Sequence, residues 1–352
     1  TLFTGAVSLK WAFQAVEQTR AVAAAGIVAQ LGFAAGAFSV RGPEHVLRLP
    51  VAQLAGEAAG AVVLGAVFVK RFGSLLPSLD WRLWRTLLRE SAPLAVSTVL
   101  GTLLFNFDVL ALAYFRTPAE VGLYAAVYKL VLVFTTVLTL FQLSLFPTLA
   151  RAYQGQHDLD AIAGRALHYL SLIFVPLAFG GLLFAPRLVE WVLGAGYAAG
   201  SGPLRILLWS LPWMALRAVF RIILVSYNLQ GLDASAMLAG AVVNVALDLI
   251  LVPRVGATGA AISTLCSEFI ILHQSYRSVW RKVQPVFVLK HLYRPAIGSV
   301  VMVAGALALW WTPAMVRAAA AAGIYLAVMR FLGAVRWQEI AELWTAERGA
   351  KD

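Results

Sequence analysis

Several ionisable side chains interrupt long apolar runs of this sequence: Glu57, Asp108, Lys129, Arg217, Arg221, Asp248 and Glu268. Each is of a type that binds or carries charge. Arg217 and Arg221 are four residues apart, so one helix face carries both. A guanidinium presents a planar fork that matches phosphate with two parallel hydrogen bonds. Arg217 lies about 14 residues, or ~21 Å, into its apolar run; Arg221, nearer the run's end, can instead snorkel to headgroups. Glu57, Glu268 and Asp248 are candidates for holding a proton or a coupling cation, or for cavity-facing pairs. Asp248 lies five residues before Pro253, so a half-solvated place near the end of its run is expected. Asp108 precedes Pro118 by ten residues and Lys129 follows Ala119 by ten. Two helical arms folded at that turn place both charges at nearly equal depth, as an ion pair that locks a hairpin or as two groups facing a cavity.

No catalytic set accompanies these charges. The five histidines, at positions 45, 157, 168, 273 and 291, are dispersed along the chain. No Ser or Cys has the surroundings of a triad nucleophile. The single cysteine, Cys266, cannot close an internal disulfide, and no Cys/His cluster has metal-ligand spacing. Neither a metal nor another cofactor is expected, and the chain does not read as an enzyme.

The elements that hold these residues are membrane helices. Of the 352 residues 61% are hydrophobic and 13% charged, well above the apolar share of soluble domains, about 45–50%. Residues 91–151 hold two apolar runs joined by the turn RTPAE, each longer than the ~20 residues that cross a bilayer as a helix. Ten spans are expected, at roughly 21–40, 49–70, 92–115, 121–149, 166–185, 203–227, 234–253, 257–276, 293–311 and 314–332. The fold class is all-α and polytopic. An outer-membrane barrel would show period-two alternation instead of long runs.

The net charge of +11 follows from topology and does not point to nucleic acid. Eighteen of the 28 Lys and Arg fall in connectors on one side, seven on the other, and Lys129, Arg217 and Arg221 fall within spans. Basic residues accumulate on the cytoplasmic side, so both ends of the chain are expected there. Within the connector 75–91, Trp81, Trp84, Leu87 and Leu88 share a face and Arg82, Arg85 and Arg89 lie elsewhere, the pattern of an interfacial amphipathic helix. The tail, with Trp337, Ile340 and Trp344, has a similar pattern. The stretch LGAGYAAGSG at 193–202 lacks the Lys-Ser/Thr of a phosphate loop and reads as an external turn.

A weak internal repeat aligns 14–30 with 228–244 at an offset of 214, and 51–57 with 262–268 at 211, which puts Glu57 and Glu268 in matching places. A period near 210 residues suits a repeat of six spans, with a ligand site between the halves, as in secondary transporters.

Five passages resemble the Wzx-type polysaccharide-biosynthesis flippases, of the superfamily that also holds multidrug (MATE) exporters and lipid II flippases. They are KWAFQAVEQTRAVA at Lys10–Ala23; WRLWRTLLRESAPLAVSTVLGTLLFNFDVLAL, with its late Asp108; EVGLYAAVYKLV at Glu120–Val131; WVLGAGYAAGSGPLRIL, with Gly194 and Tyr197; and NVALDLILVPRVGATGAAISTLCSE at Asn244–Glu268. The resemblance implies a MATE-like fold of two bundles. On that resemblance this chain would match the family's helices five to fourteen, and its first four would be absent. Residues 1–70 would then be the remnant of an N-terminal six-helix bundle, 71–91 the cytoplasmic interfacial linker helix and 92–280 the C-terminal six-helix bundle. Residues 281–333 would add two helices and 334–352 a cytoplasmic tail.

The implied activity is movement of a polyprenyl-diphosphate-linked oligosaccharide, an O-antigen or exopolysaccharide unit, across the cytoplasmic membrane. The partners are that substrate, membrane lipids and a glycan polymerase. Arg217, Arg221, Lys129 and Asp108 would then serve the substrate's charges, and Gln142 and Asn244 its sugars or the hydrogen bonding of the core. A cation-coupled multidrug exporter is the alternative, although Lys129, Arg217 and Arg221 favour an anionic substrate. A membrane-embedded glycan polymerase or ligase needs a sizeable external loop, and residues 186–202 form only a short, mostly apolar one.

Overall fold

The computed structural model describes residues 9–15, 19–39, 42, 45, 48–73, 80–153 and 159–334. The interfacial pattern expected in the tail lies outside them. Among the described residues the regular structure is helical, with no strand. The chain divides into two compact units, Thr1–Arg85 and Thr86–Asp352.

The first unit holds α1 (Lys10–Ala15), α2 (Thr19–Ala37) and α3 (Arg48–Phe72). Small residues let α2 and α3 approach closely: a Cβ on Gly60 would stand 2.8 Å from the Ala25 carbonyl, and one on Gly32 3.0 Å from Gly56 Cα. Lipid tails are as apolar as leucine, so membrane helices associate through such close packing. Lys70 and Arg71 occupy the last turn of α3, where cations complement the helix dipole.

The second unit is built on α4 (Trp81–Phe115) from Thr86 onward, α5 (Pro118–Tyr153), α6 (Leu159–Leu193), α7 (Ser201–Ser226) and α8 (Gln230–Lys282), followed by α9 (Leu289–Ala308) and α10 (Ala314–Phe331). Asp80 Oδ1 accepts the N–H groups of Arg82 and Leu83 at 2.9 and 3.2 Å, an N-cap that fixes where α4 starts. From Trp81 the amphipathic stretch runs into the span as one 35-residue helix that absorbs Pro93. At about 1.5 Å per residue it is ~52 Å long, more than the ~30 Å hydrocarbon layer. The surplus is the stretch whose Trp81, Trp84, Leu87 and Leu88 are exposed. At the other end of α4, Thr117 and Pro118 start α5 with the fixed φ that suits a first helical position.

Helix α7 is the centre of this unit. It packs against α5, α6 and α8, and 17 of its 26 residues are buried. A helix that is apolar all round must be enclosed by others, and LRILLWSLPWMALRAVFRIILV is of that kind. The principal core gathers Leu204, Leu207, Leu211, Val219, Phe220 and Ile223 of α7 with Leu112, Tyr124, Val127, Leu167 and Leu170. Helix α8 comprises two antiparallel arms, 230–255 and 257–282, broken at Gly256 with φ 56° and ψ −133°. The arms pack tightly, since a Cβ on Gly259 would meet the Leu251 carbonyl at 2.7 Å. Helices α9 and α10 add a smaller core in which Met302, Ala306, Ala321 and Tyr325 meet Leu172, Phe179 and Leu183 of α6.

Eight helices among the described residues are long and apolar enough to cross a membrane. One of them, α8, contains two of the expected spans across its break, and Ala21–Ala37 is a shorter apolar helix matching the first. The chain is a polytopic all-α membrane protein. Residues 193–202, expected as a turn, form a short 3₁₀ helix (Ala195–Gly200) after Gly194, whose φ is 93°.

Candidate functional site

The interior of the second unit collects most of the charges that interrupt its apolar runs. Along the first arm of α8, Asp233, Met237, Asn244 and Asp248 recur at helical spacing and are buried. They form one stripe. Thr264 and Glu268, one turn apart on the second arm, are buried with them. Helix α7 supplies Arg217 and Arg221, α4 supplies Asp108, and α5 supplies Tyr124.

Asp108 is the most fully satisfied of these groups. It is 1% exposed and accepts three hydrogen bonds from three segments: Tyr124 Oη to Oδ2 at 2.5 Å, Thr264 Oγ1 to Oδ2 at 2.6 Å and Asn244 Nδ2 to Oδ1 at 3.1 Å. Tyr124 is itself fully buried and stacks on Tyr128, ring centroids 5.8 Å apart. A buried carboxylate persists only where donors replace water, and here they come from α5 and both arms of α8. The expected Asp108–Lys129 pair is not formed. Lys129 lies on the exposed face of α5, and no salt bridge joins it to an acid among the described residues. Equal depth does not fix azimuth: Tyr124 and Tyr128 take the inward face of α5, and Lys129, one residue on, turns about 100° away.

Asp248 is not half-solvated but 0% exposed. It faces Asp108 and Ser263, and neither of its oxygens accepts a hydrogen bond; Asn244 Oδ1 is a third buried oxygen without a donor. Asp108, Asn244, Asp248 and Thr264 thus bring together hard oxygen atoms, some of them unsatisfied. Such a set suits a proton or an oxygen-seeking cation, because carboxylate and carbonyl oxygens prefer hard ions. No group of three or more His, Cys, Asp or Glu among the described residues is placed to hold a metal ion.

Arg217 and Glu268 form a nearly enclosed ion pair. Nε donates to Oε2 at 2.9 Å and Nη2 reaches Oε1 at 3.5 Å, with side chains 13% and 6% exposed. Nη1 points at Met237 Sδ, 3.6 Å away. One turn further, Arg221 Nε stands 3.6 Å from the fully buried Asp233. Arg221 is therefore paired inward and does not snorkel outward. Glu268 and Thr264 share a helix face, which links the ion pair to the Asp108 cluster.

The remaining candidates lie apart from this interior. Gln142 is half-buried on α5. Glu57, in the first unit, accepts a hydrogen bond from Gln53 at 3.3 Å, so its partner differs from that of Glu268. Sequence reading missed Tyr124, Thr264 and Asp233. Thr264 falls four residues before Glu268, and Asp233 falls on the stripe of Asn244 and Asp248; that spacing was the available signal.

An apolar recess of about 610 Å³ opens between α6, α9 and α10, lined by Leu172, Pro176, Gly180, Phe184, Met302 and Tyr325 among others. Its walls offer almost nothing to a polar ligand and suit a hydrocarbon chain.

Residues 1–153 match the family described as "Polysaccharide biosynthesis protein". Over 224 residues the chain is 25% identical to a protein of Haloferax volcanii described as "Probable low-salt glycan biosynthesis flippase Agl15", covering 62% of this chain and 48% of that one. The fold is similar to that of "Lipid II flippase MurJ, inward closed conformation", with a TM-score of 0.70, 14% identity and coverage of 87% of this chain and 66% of the other. The chain thus spans 48% of the length of the Haloferax volcanii relative and 66% of the solved structure. Through residues 1–153 the chain is similar to the polysaccharide biosynthesis protein family, and over the greater part of its length it shares the fold of the lipid II flippase structure.

Proposed function

We propose that this chain is part of a transporter that moves a polyprenyl-diphosphate-linked oligosaccharide from the inner to the outer leaflet of the cytoplasmic membrane. The observation that carries this reading is the Arg217–Glu268 pair, enclosed among apolar helices beside the Asp108 cluster. Packing alone does not call for a charge there, and each isolated one would cost about 2.5–3.5 kcal/mol on insertion scales. Arg217 is the diphosphate-binding group, held in reserve by Glu268 until a substrate phosphate competes for the guanidinium. Arg221 acts beside it. Lys129, Asp108, Gln142 and Asn244 remain substrate-facing candidates, and Asp248, Glu268 and Glu57 candidates for ion coupling. The apolar recess beside α6 supports a substrate with a long hydrocarbon chain.

On this reading residues 1–70 contribute to one bundle and 92–280 form another. Residues 281–333 add two helices, and both ends of the chain lie in the cytoplasm. The chain works as a transporter and makes or breaks no bond; a glycan polymerase is a partner downstream.

The test uses the full-length transporter in cells and in proteoliposomes carrying a labelled lipid-diphosphate oligosaccharide. Arg217→Ala at normal membrane abundance is expected to abolish export, and Arg217→Lys to restore it partly, because an ammonium offers no fork. Wild-type export by Arg217→Ala would remove the assignment. Transport of cationic drugs with no glycan-lipid movement would favour the exporter reading instead.

A further inference from the structure

A second charged site lies outside the interior cluster. The first turns of α6 and α9 and the end of α10 meet around a recess of about 480 Å³. Arg165, Lys290 and Arg294 line it with His168 and His291, against one described carboxylate, Asp160. Lys290 Nζ lies 3.1 Å from Asp160 Oδ2, so Asp160 offsets one cation of the three. Arg294 donates from Nη1 to the Gly333 carbonyl at 3.4 Å and from Nε to Tyr293 Oη at 2.8 Å. His168 Nε2 is 2.7 Å from the Ala334 carbonyl. A carbonyl only accepts, so that nitrogen carries its proton. The end of α10 would bring negative potential into the recess, and these two side chains cover its carbonyls. The start of α9 has no side-chain cap, so its first N–H groups add partial positive charge at the rim. His291 is admitted by Gly164: a Cβ there would stand 3.1 Å from His291 Nε2, a buried atom with no hydrogen-bond partner.

Basic residues at this end of a membrane bundle are expected from topology alone. Topology does not require them to converge from distant parts of the chain around a concavity. The basic run of α8 shows the difference: Arg277, Arg281 and Lys282 line a hollow contributed almost wholly by their own helix.

We propose that the recess between α6, α9 and α10 is a binding site for a phosphate-bearing anion, distinct from the transport interior. Basic pockets between transmembrane helices at the positively charged end recognise anionic headgroups. The same chemistry fits a lipid phosphodiester or a free phosphate, and the experiment separates them.

The full chain is placed in nanodiscs of phosphatidylcholine with or without phosphatidylglycerol, and retained lipid is counted by native mass spectrometry alongside the thermal midpoint. The wild type is expected to retain phosphatidylglycerol over phosphatidylcholine by about tenfold or more, the scale of two charges at about 1 kcal/mol each. Arg165→Gln/Arg294→Gln should lose that preference, and Arg277→Gln/Arg281→Gln should keep it. If inorganic phosphate raises the wild-type midpoint in phosphatidylcholine discs but leaves Arg165→Gln/Arg294→Gln unmoved, the site stands and its ligand is the free anion. Equal preference in the wild type and Arg165→Gln/Arg294→Gln, with no phosphate effect, overturns the site. So does an equal loss in Arg277→Gln/Arg281→Gln, which would mean attraction to a basic surface at large. Arg294 also holds the end of α10, so Arg165→Glu, a charge reversal at an exposed rim residue, gives the same readout if the double variant fails to fold.

Discussion

Arg217 and Glu268 are 51 residues apart in the chain and 2.9 Å apart in space, and each is the other's only compensation for burial among the described salt bridges. Removing one partner strands the other charge, which in enclosed pairs costs about 3–5 kcal/mol. Arg217→Met and Glu268→Gln are each expected to lower the thermal midpoint of the purified chain. Arg217→Met/Glu268→Met should recover most of that loss, since an apolar pair of similar volume is often neutral or better. Export should stay absent in the double variant. Recovery of both stability and export would show that the pair only holds the helices together.

Asp108 is expected to organise α5 and both arms of α8. Tyr124→Phe and Thr264→Val each remove one donor; interhelical hydrogen bonds of this kind average ~0.6 kcal/mol and reach ~1.7. Asp108→Ala leaves Tyr124, Asn244 and Thr264 unpaired together and should cost more than either. Chemical unfolding in detergent checks the order. Asp108→Ala milder than Tyr124→Phe would mean that the cluster is not centred on the carboxylate.

Asp248, with two buried and unsatisfied oxygens, is expected to be where a driving ion acts. Asp248→Asn keeps the shape and removes the charge. Transport by this variant should no longer respond to an imposed cation or proton gradient, while the folded protein persists. A response equal to wild type would move the coupling role to Glu268 or Glu57.

Lys129 is expected to be neutral in folding. Exposed substitutions away from special features usually fall within about ±0.5 kcal/mol, so Lys129→Met should leave the midpoint unchanged. A loss as large as that of Asp108→Ala would restore the hairpin ion pair as the better description.

The break in α8 depends on Glu120. Its Oε1 accepts the Ala257 N–H at 2.8 Å, and Arg116 Nε donates to the Val252 carbonyl at 3.0 Å. The α4–α5 turn thereby holds one backbone group four residues before Gly256 and one directly after it. A side chain at Gly256 would overlap the Glu120 carboxylate and force an L residue into φ 56°, ψ −133°, strain of about 1–3 kcal/mol. Gly256→Ala should therefore destabilise clearly. Glu120→Gln keeps an acceptor oxygen and should cost less than Glu120→Ala. A midpoint for Gly256→Ala within error of wild type would discount the clamp.

Much of the architecture was legible in the sequence, because a bilayer imposes length and apolarity on each element separately. Spans can be counted, and the two arms of α8 divided near Gly256, from runs of side chains that need no partner to be recognised. The intramembrane charges stood out for the same reason: Arg217, Asp248 and Glu268 are conspicuous in any apolar run. Their partners were not legible. Depth is what counting residues at a fixed rise can suggest for Asp108 and Lys129. Rotation about each helix axis depends on which faces pack, so only the tertiary structure turned Asp108 toward Tyr124, Asn244 and Thr264 and left Lys129 outside. The same holds for Arg217, whose isolated charge suggested a free phosphate ligand until packing against α8 brought Glu268 to it. Composition sets what a membrane helix must hide, and the packing of its neighbours decides with whom.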